Sequence, residues 1–90
     1  MKIGSKQVFQ DLYQQDGVEK YTAKIVEELA ELQVAVHHYN DNKIHIKELA
    51  DEIADVHIQL NKLIQLSIEL EDEYNQALQR KMLNIYQMLY

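Results

Sequence analysis

Asn40-Asp41-Asn42-Lys43 is the clearest polar break in this chain, and the residues on either side of it decide the fold. The four residues carry nothing to bury, and Asn and Asp tolerate the bent backbone of a tight connection. Upstream, Val18, Tyr21, Ile25, Leu29, Leu32 and Val36 recur at spacings of three or four, the stripe of an amphipathic helix from about 18 to 39. Downstream, Leu49, Ile53, Val56, Leu60, Leu63, Ile64 and Ser67 repeat the pattern in a helix from about 46 to 67 or 68. So short a connection makes antiparallel neighbours of the two helices, and a helical hairpin is the predicted centre of the fold.

Working outward, Val8, Phe9, Leu12 and Tyr13 predict a short first helix from about Lys6 to Gln15, ending at Asp16-Gly17, where Gly can take a left-handed capping conformation. Leu70, Tyr74, Ala77, Leu78, Ile85 and Met88 predict a last helix from about Leu70 to Met88. Its start is placed near Ser67 to Glu71, where the apolar stripe changes phase; helix continuous with the preceding one is the alternative. No Pro and only two Gly, Gly4 and Gly17, interrupt a Glu-, Gln-, Leu-, Ile- and Lys-rich composition, so the chain is expected to be all-α. Ninety residues make one domain, 1–90, too small for a lone hairpin to be more than marginally stable. Self-association is expected, as a homodimer or homotetramer in which hairpins join into a four-helix-bundle core.

Composition also excludes classes of function. Without Cys there is neither a disulfide framework nor a thiolate zinc site. Met1-Lys2-Ile3-Gly4-Ser5-Lys6 precedes no hydrophobic stretch, so neither a signal peptide nor a membrane span is expected, and cytoplasm is the default. The formal charge of −6 argues against nucleic acid as a partner, since that affinity comes largely from Lys and Arg on phosphates. A phosphate-bearing ligand would need a cation held by the acids.

The acids are organised for one. Glu27-Glu28-Leu29-Ala30-Glu31-Leu32 matches Asp51-Glu52-Ile53-Ala54-Asp55-Val56 acid for acid and apolar for apolar. Residues three apart on a helix lie roughly 60° apart, so Glu28 with Glu31, and Glu52 with Asp55, each point the same way. The first acid of each pair lies roughly 60 to 80° from its apolar stripe and the second roughly 120 to 140°, in the same rotational sense. Folding the hairpin about Asp41-Asn42 sets Glu31 opposite Glu52 and Glu28 opposite Asp55. Four carboxylates at one level repel one another, and a hard divalent cation, Mg²⁺ with Mn²⁺ as substitute, would remove the conflict. The competing reading is a solvated flank: among 15 acidic residues, such pairs also serve i to i+4 salt bridges.

At these residues the chain resembles the MazG-like all-α nucleoside triphosphate pyrophosphohydrolases, with a signature Glu-Glu-x-x-Glu followed by Glu-x-x-Asp. Glu27, Glu28, Glu31, Glu52 and Asp55 match every position, the likeness runs roughly from Gly17 to Ile64, and it is closest to short single-domain forms of phages and Gram-positive bacteria. The resemblance implies hydrolysis of a (d)NTP to (d)NMP and pyrophosphate with Mg²⁺ on Glu28, Glu31, Glu52 and Asp55. Glu27, about 100° round the helix from Glu28, would orient water, or else pair with Lys24 or Lys20. The family often carries a basic residue in the last helix, which Lys81 or Arg80 fits; Asn84 stands where a further base is frequent. Lys81 projects from the apolar stripe and either faces the acids or snorkels to solvent. Lys24, one turn before Glu28, is a further candidate for the phosphates.

His37, His38, His45 and His57 form no zinc motif; His37 and His38 suit a helix C-terminus and His57 a packed position. Tyr21, Tyr39, Tyr74, Tyr86 and Tyr90 could stack on a base or fill core and interface. Two rivals remain: phosphoribosyl-ATP pyrophosphatase, from which Val56-His57-Ile58-Gln59 departs, and a non-catalytic helical dimerisation module with an acidic soluble face.

Overall fold

A computed structural model describes residues 5–90, so the expectation about a leader, which rests on residues 1–6, falls largely outside the described residues. The chain is all-α: α1 spans Ser5–Asn40, α2 Ile46–Ile64 and α3 Ile68–Leu89, with no strand among the described residues. The two helices expected upstream of the polar break are the two arms of α1, which kinks at Gly17. There φ is 78° and ψ 162°. The positive φ is as expected, but the high ψ is not the left-handed helical cap; it belongs to an extended region that only glycine occupies without strain. Chain direction therefore changes without a loop.

The polar break forms a hairpin turn. Lys43 N–H donates to His38 O at 2.8 Å and Asn42 N–H to Tyr39 O at 3.0 Å, the paired bonds that close a helix C-terminus when the residue after the cap turns left-handed. Asn42 is that residue, with φ 60°, a conformation Asn tolerates better than most. His45 caps α2, its Nδ1 accepting from Lys47 N–H at 3.1 Å. The break between α2 and α3 lies at residues 65–67, a little earlier than the change of stripe suggests. Ser67 sets it, since its Oγ accepts from Leu70 N–H at 3.1 Å while Glu69 and Glu71 favour the positive end of the new helix.

The helices pack about a seam that is not the apolar stripe. On α1 the buried residues are Tyr21, Ile25, Glu28 and Ala35, with Leu32 half-buried; on α2 they are Val56, Gln59 and Lys62, flanked by half-buried Leu49, Glu52 and Leu63. On a helical wheel this seam is turned roughly 50° from the stripe toward the acids on both helices. Leu29, 42% exposed, and Ile53, 51% exposed, are thereby left outside, as are Val36 and Leu60, all four expected in the core. The offset has the same sense on two antiparallel helices, so the hairpin carries acids on one side and an unpartnered apolar strip on the other.

α3 packs only against α2 and has no buried residue, so the expectation that Tyr74, Leu78, Ile85 and Met88 face a core within one chain is not met. The chain exposes 7443 Å². A compact monomer of 10.6 kDa would expose about 5500 Å². The excess, about 2000 Å², is of the order that a stable subunit interface covers.

Candidate metal centre

Rotation of the seam toward the acids is what builds the site, because it carries Glu28 into the helix interface. Glu28 is only 6% exposed. Glu52 is half-buried, and Glu31 and Asp55 are exposed, so the leading acid of each pair is the drier, as their angles from the stripe predict. One oxygen from each of Glu28, Glu52 and Asp55 lies within 4.8 Å of the others, and the same holds for Glu27, Glu28 and Glu31. Glu28 is thus the shared corner of two carboxylate triads. Glu27 reaches Glu28 and Glu31 despite its angular offset, though it remains exposed and also pairs with Lys24 at 3.5 Å.

The electrostatics show a conflict only partly relieved. Lys24 Nζ sits 3.0 Å from Glu28 Oε1, and this contact, with Glu27 beside it, holds the Lys24 ammonium above its usual proton affinity. The second oxygen of Glu28, Oε2, and the Oε2 of Glu52 are sealed from water with no hydrogen-bond donor. Desolvated carboxylate oxygens are costly unless a donor or cation meets them. At an effective dielectric of ~20, unit charges about 5 Å apart repel by about 3 kcal/mol. Glu31 registers the crowding: the Glu28 carboxylate first, then loss of solvent, Glu52 and Glu27, raise its pKa above the usual carboxylate range.

A hard divalent cation fits this donor set. All the converging atoms are carboxylate oxygens, two of the acids, Glu28 and Glu52, each keep one donorless oxygen, and Glu27, Glu31 and Asp55 are open to solvent, an arrangement a Mg²⁺ ion with bound waters would suit. A cleft of about 600 Å³ opens beside Glu31 and Glu52 toward the hairpin turn, walled by Val34, Ala35 and Ile44.

Three residues expected at the acids are elsewhere. Lys81, Arg80 and Asn84 are exposed on α3, whose backbone does not approach that of α1, and among the described residues the base paired with the acids is Lys24. The stripe on which Lys81 lies is itself uncovered, and snorkelling is unnecessary. His57 is likewise exposed rather than packed, and no His joins a carboxylate cluster among the described residues.

Sequence reasoning missed Lys62, which is 4% exposed. Its Nζ donates to Gln59 Oε1 at 2.9 Å and sits 4.2 Å from the centre of the Tyr21 ring, while Tyr21 O–H donates to Lys62 O at 3.3 Å. Burial lowers its pKa, opposed by Asp16. The available signal was weak: Gln59 and Lys62 continue the three-residue step from Val56, but that step leads away from the apolar stripe toward the side of the acids. Comparison with protein-family models, curated proteins and solved structures yields no match to this chain.

Proposed function

We propose that the chain is a Mg²⁺-dependent nucleoside triphosphate pyrophosphohydrolase of the MazG-like kind, cleaving (d)NTP to (d)NMP and pyrophosphate. The observation that carries the reading is the pair of water-sealed, donorless oxygens, Glu28 Oε2 and Glu52 Oε2, within a group of converging acids. A salt-bridged soluble flank does not bury carboxylates that way, and the signature over Glu27, Glu28, Glu31, Glu52 and Asp55 supplies the reaction class.

Glu28, Glu52 and Asp55 would hold the ion, with Glu31 on its solvent side. Bound there, Mg²⁺ or Mn²⁺ supplies charge neutralisation on phosphate oxygens and acidification of water. Lys24, now neutralising Glu28, is the base nearest the acids and is free to turn to a phosphate once a cation replaces it. Glu27 would orient water beside Glu28 and Glu31, released from its pairing with Lys24.

The same reading includes a homodimer or dimer of dimers. The apolar strip of Leu29, Val36, Ile53 and Leu60, the uncovered α3 and the excess surface support pairing of hairpins into a bundle. Lys81, Arg80 and Asn84 would then reach substrate only from the α3 of another protomer. These apolar faces equally suit the non-catalytic dimerisation module, and calorimetry with Mg²⁺ and Mn²⁺ separates the two. Binding that disappears in Glu28→Gln and Glu52→Gln, with pyrophosphate released from a panel of NTPs, dNTPs and phosphoribosyl-ATP, supports the enzyme and selects its substrate. Absence of ion binding together with undiminished behaviour of both variants would sink it.

A further inference from the structure

A second cleft, of about 700 Å³, lies at the open end of the hairpin between the first arm of α1 and the junction of α2 with α3. Phe9, Tyr13 and Tyr21 line it, with Gln10, Gln14 and Gln65 as its principal amides. Tyr13 and Tyr21 meet edge to face, ring centres 5.3 Å apart, and the Lys62 ammonium lies over the Tyr21 ring, so that ring is held in place. Gln65 Oε1 is sealed from water and has no donor. A buried acceptor without a donor is unfavourable, and a ligand bringing an N–H would satisfy it. The cleft beside the acids offers one flat ring, the His38 imidazole, against three here, and adds Glu48 and Asp51 to its lining. Tyr21 lies two turns before Glu28 on the same buried seam, about 10 Å along the helix axis, with Lys24 between them.

We infer that this aromatic cleft receives the nucleobase of the substrate, Tyr13 providing a stacking face and Gln65 accepting from an N–H on the base edge. The inference rests on the nucleotide reading of the acidic site. Flat rings flanked by carboxamides suit a planar heterocycle, and the offset along the seam leaves the sugar and phosphates to reach past Lys24 toward the acids.

The test uses Tyr13→Ala, on a side chain outside the core, and Gln65→Leu, both checked by circular dichroism. Inorganic tripolyphosphate serves as a base-free competitive inhibitor. Tyr13→Ala should raise KM for nucleoside triphosphates about ten- to hundredfold, the worth of one stacked base, and leave the inhibition constant of tripolyphosphate unchanged. Gln65→Leu should alter the ranking among bases. Equal weakening of tripolyphosphate, or an unchanged KM, overturns the assignment of the cleft while pyrophosphate release and Mg²⁺ binding still stand. Binding of phosphate-free nucleosides in EDTA reads the cleft independently: retained in wild type, lost in Tyr13→Ala, with no Mg²⁺ binding at the acids, it overturns the metal reading alone.

Discussion

Replacing Glu28 by Gln should make the metal-free protein more stable and its stability indifferent to Mg²⁺. Glu28 is the corner common to both carboxylate triads, and its neighbours converge within 4.8 Å. Taking only the two drier acids, removal of the Glu28 charge relieves about 3 kcal/mol of repulsion from Glu52 at an effective dielectric of ~20. Against that stands the lost pairing with Lys24 at 3.0 Å, a half-exposed contact that contributes up to about 1 kcal/mol. Screening at the open side reduces the gain further, and a net 1 to 2 kcal/mol remains, or about 5 to 10 °C in Tm for a domain of this size. Wild type should start lower and rise with Mg²⁺, by about 2.7 kcal/mol when the ion is at a hundredfold its Kd. The assay is thermal unfolding at fixed protomer concentration, with EDTA and with graded Mg²⁺. A Glu28→Gln protein that melts lower than wild type in EDTA, yet still gains stability from Mg²⁺, would refute the reasoning.

Glu31 predicts a pH dependence of opposite sign to ordinary acid denaturation. Its pKa is raised in the folded chain, so between about 4.3 and that raised value the folded state binds more protons than the unfolded one, and stability falls as pH rises. Metal-free protein should therefore gain stability from this group as pH falls through that raised value; Glu31→Gln should flatten that part of a Tm profile, and saturating Mg²⁺ should reverse it. At Gly17 an added Cβ meets nothing within 4 Å, so the cost of Gly17→Ala is backbone strain alone, about 1 to 3 kcal/mol, measurable by urea unfolding. If hairpins pair through the uncovered strip, Ile53→Glu should leave the helical circular dichroism intact while shifting sedimentation toward monomer; an unchanged sedimentation coefficient would refute pairing through that strip.

Much of this protein was legible in its residues. Local chemistry determines the helices: their apolar spacing, the polar break at 40–43 and the capping groups act within a turn or two of chain. The acidic pairs were legible for the same reason, because three-residue spacing fixes their relative direction on any α-helix, and the order of burial within each pair followed from angle. Tyr21, Ile25 and Val56 were also recognisable as core. What spacing cannot supply is the rotation of each helix about its own axis, which depends on how two whole surfaces fit. That rotation, roughly 50° toward the acids, put Glu28 in the seam and left Leu29 and Ile53 outside. It also buried Lys62 over Tyr21. The placement of α3, and with it the distance of Lys81 from the acids, depends on non-local packing across the junction at Ser67. Three-residue spacing sets which carboxylates share a direction, whereas the packing of one helix on another sets which of them lose their water, because desolvation belongs to the space between helices and not to either helix alone.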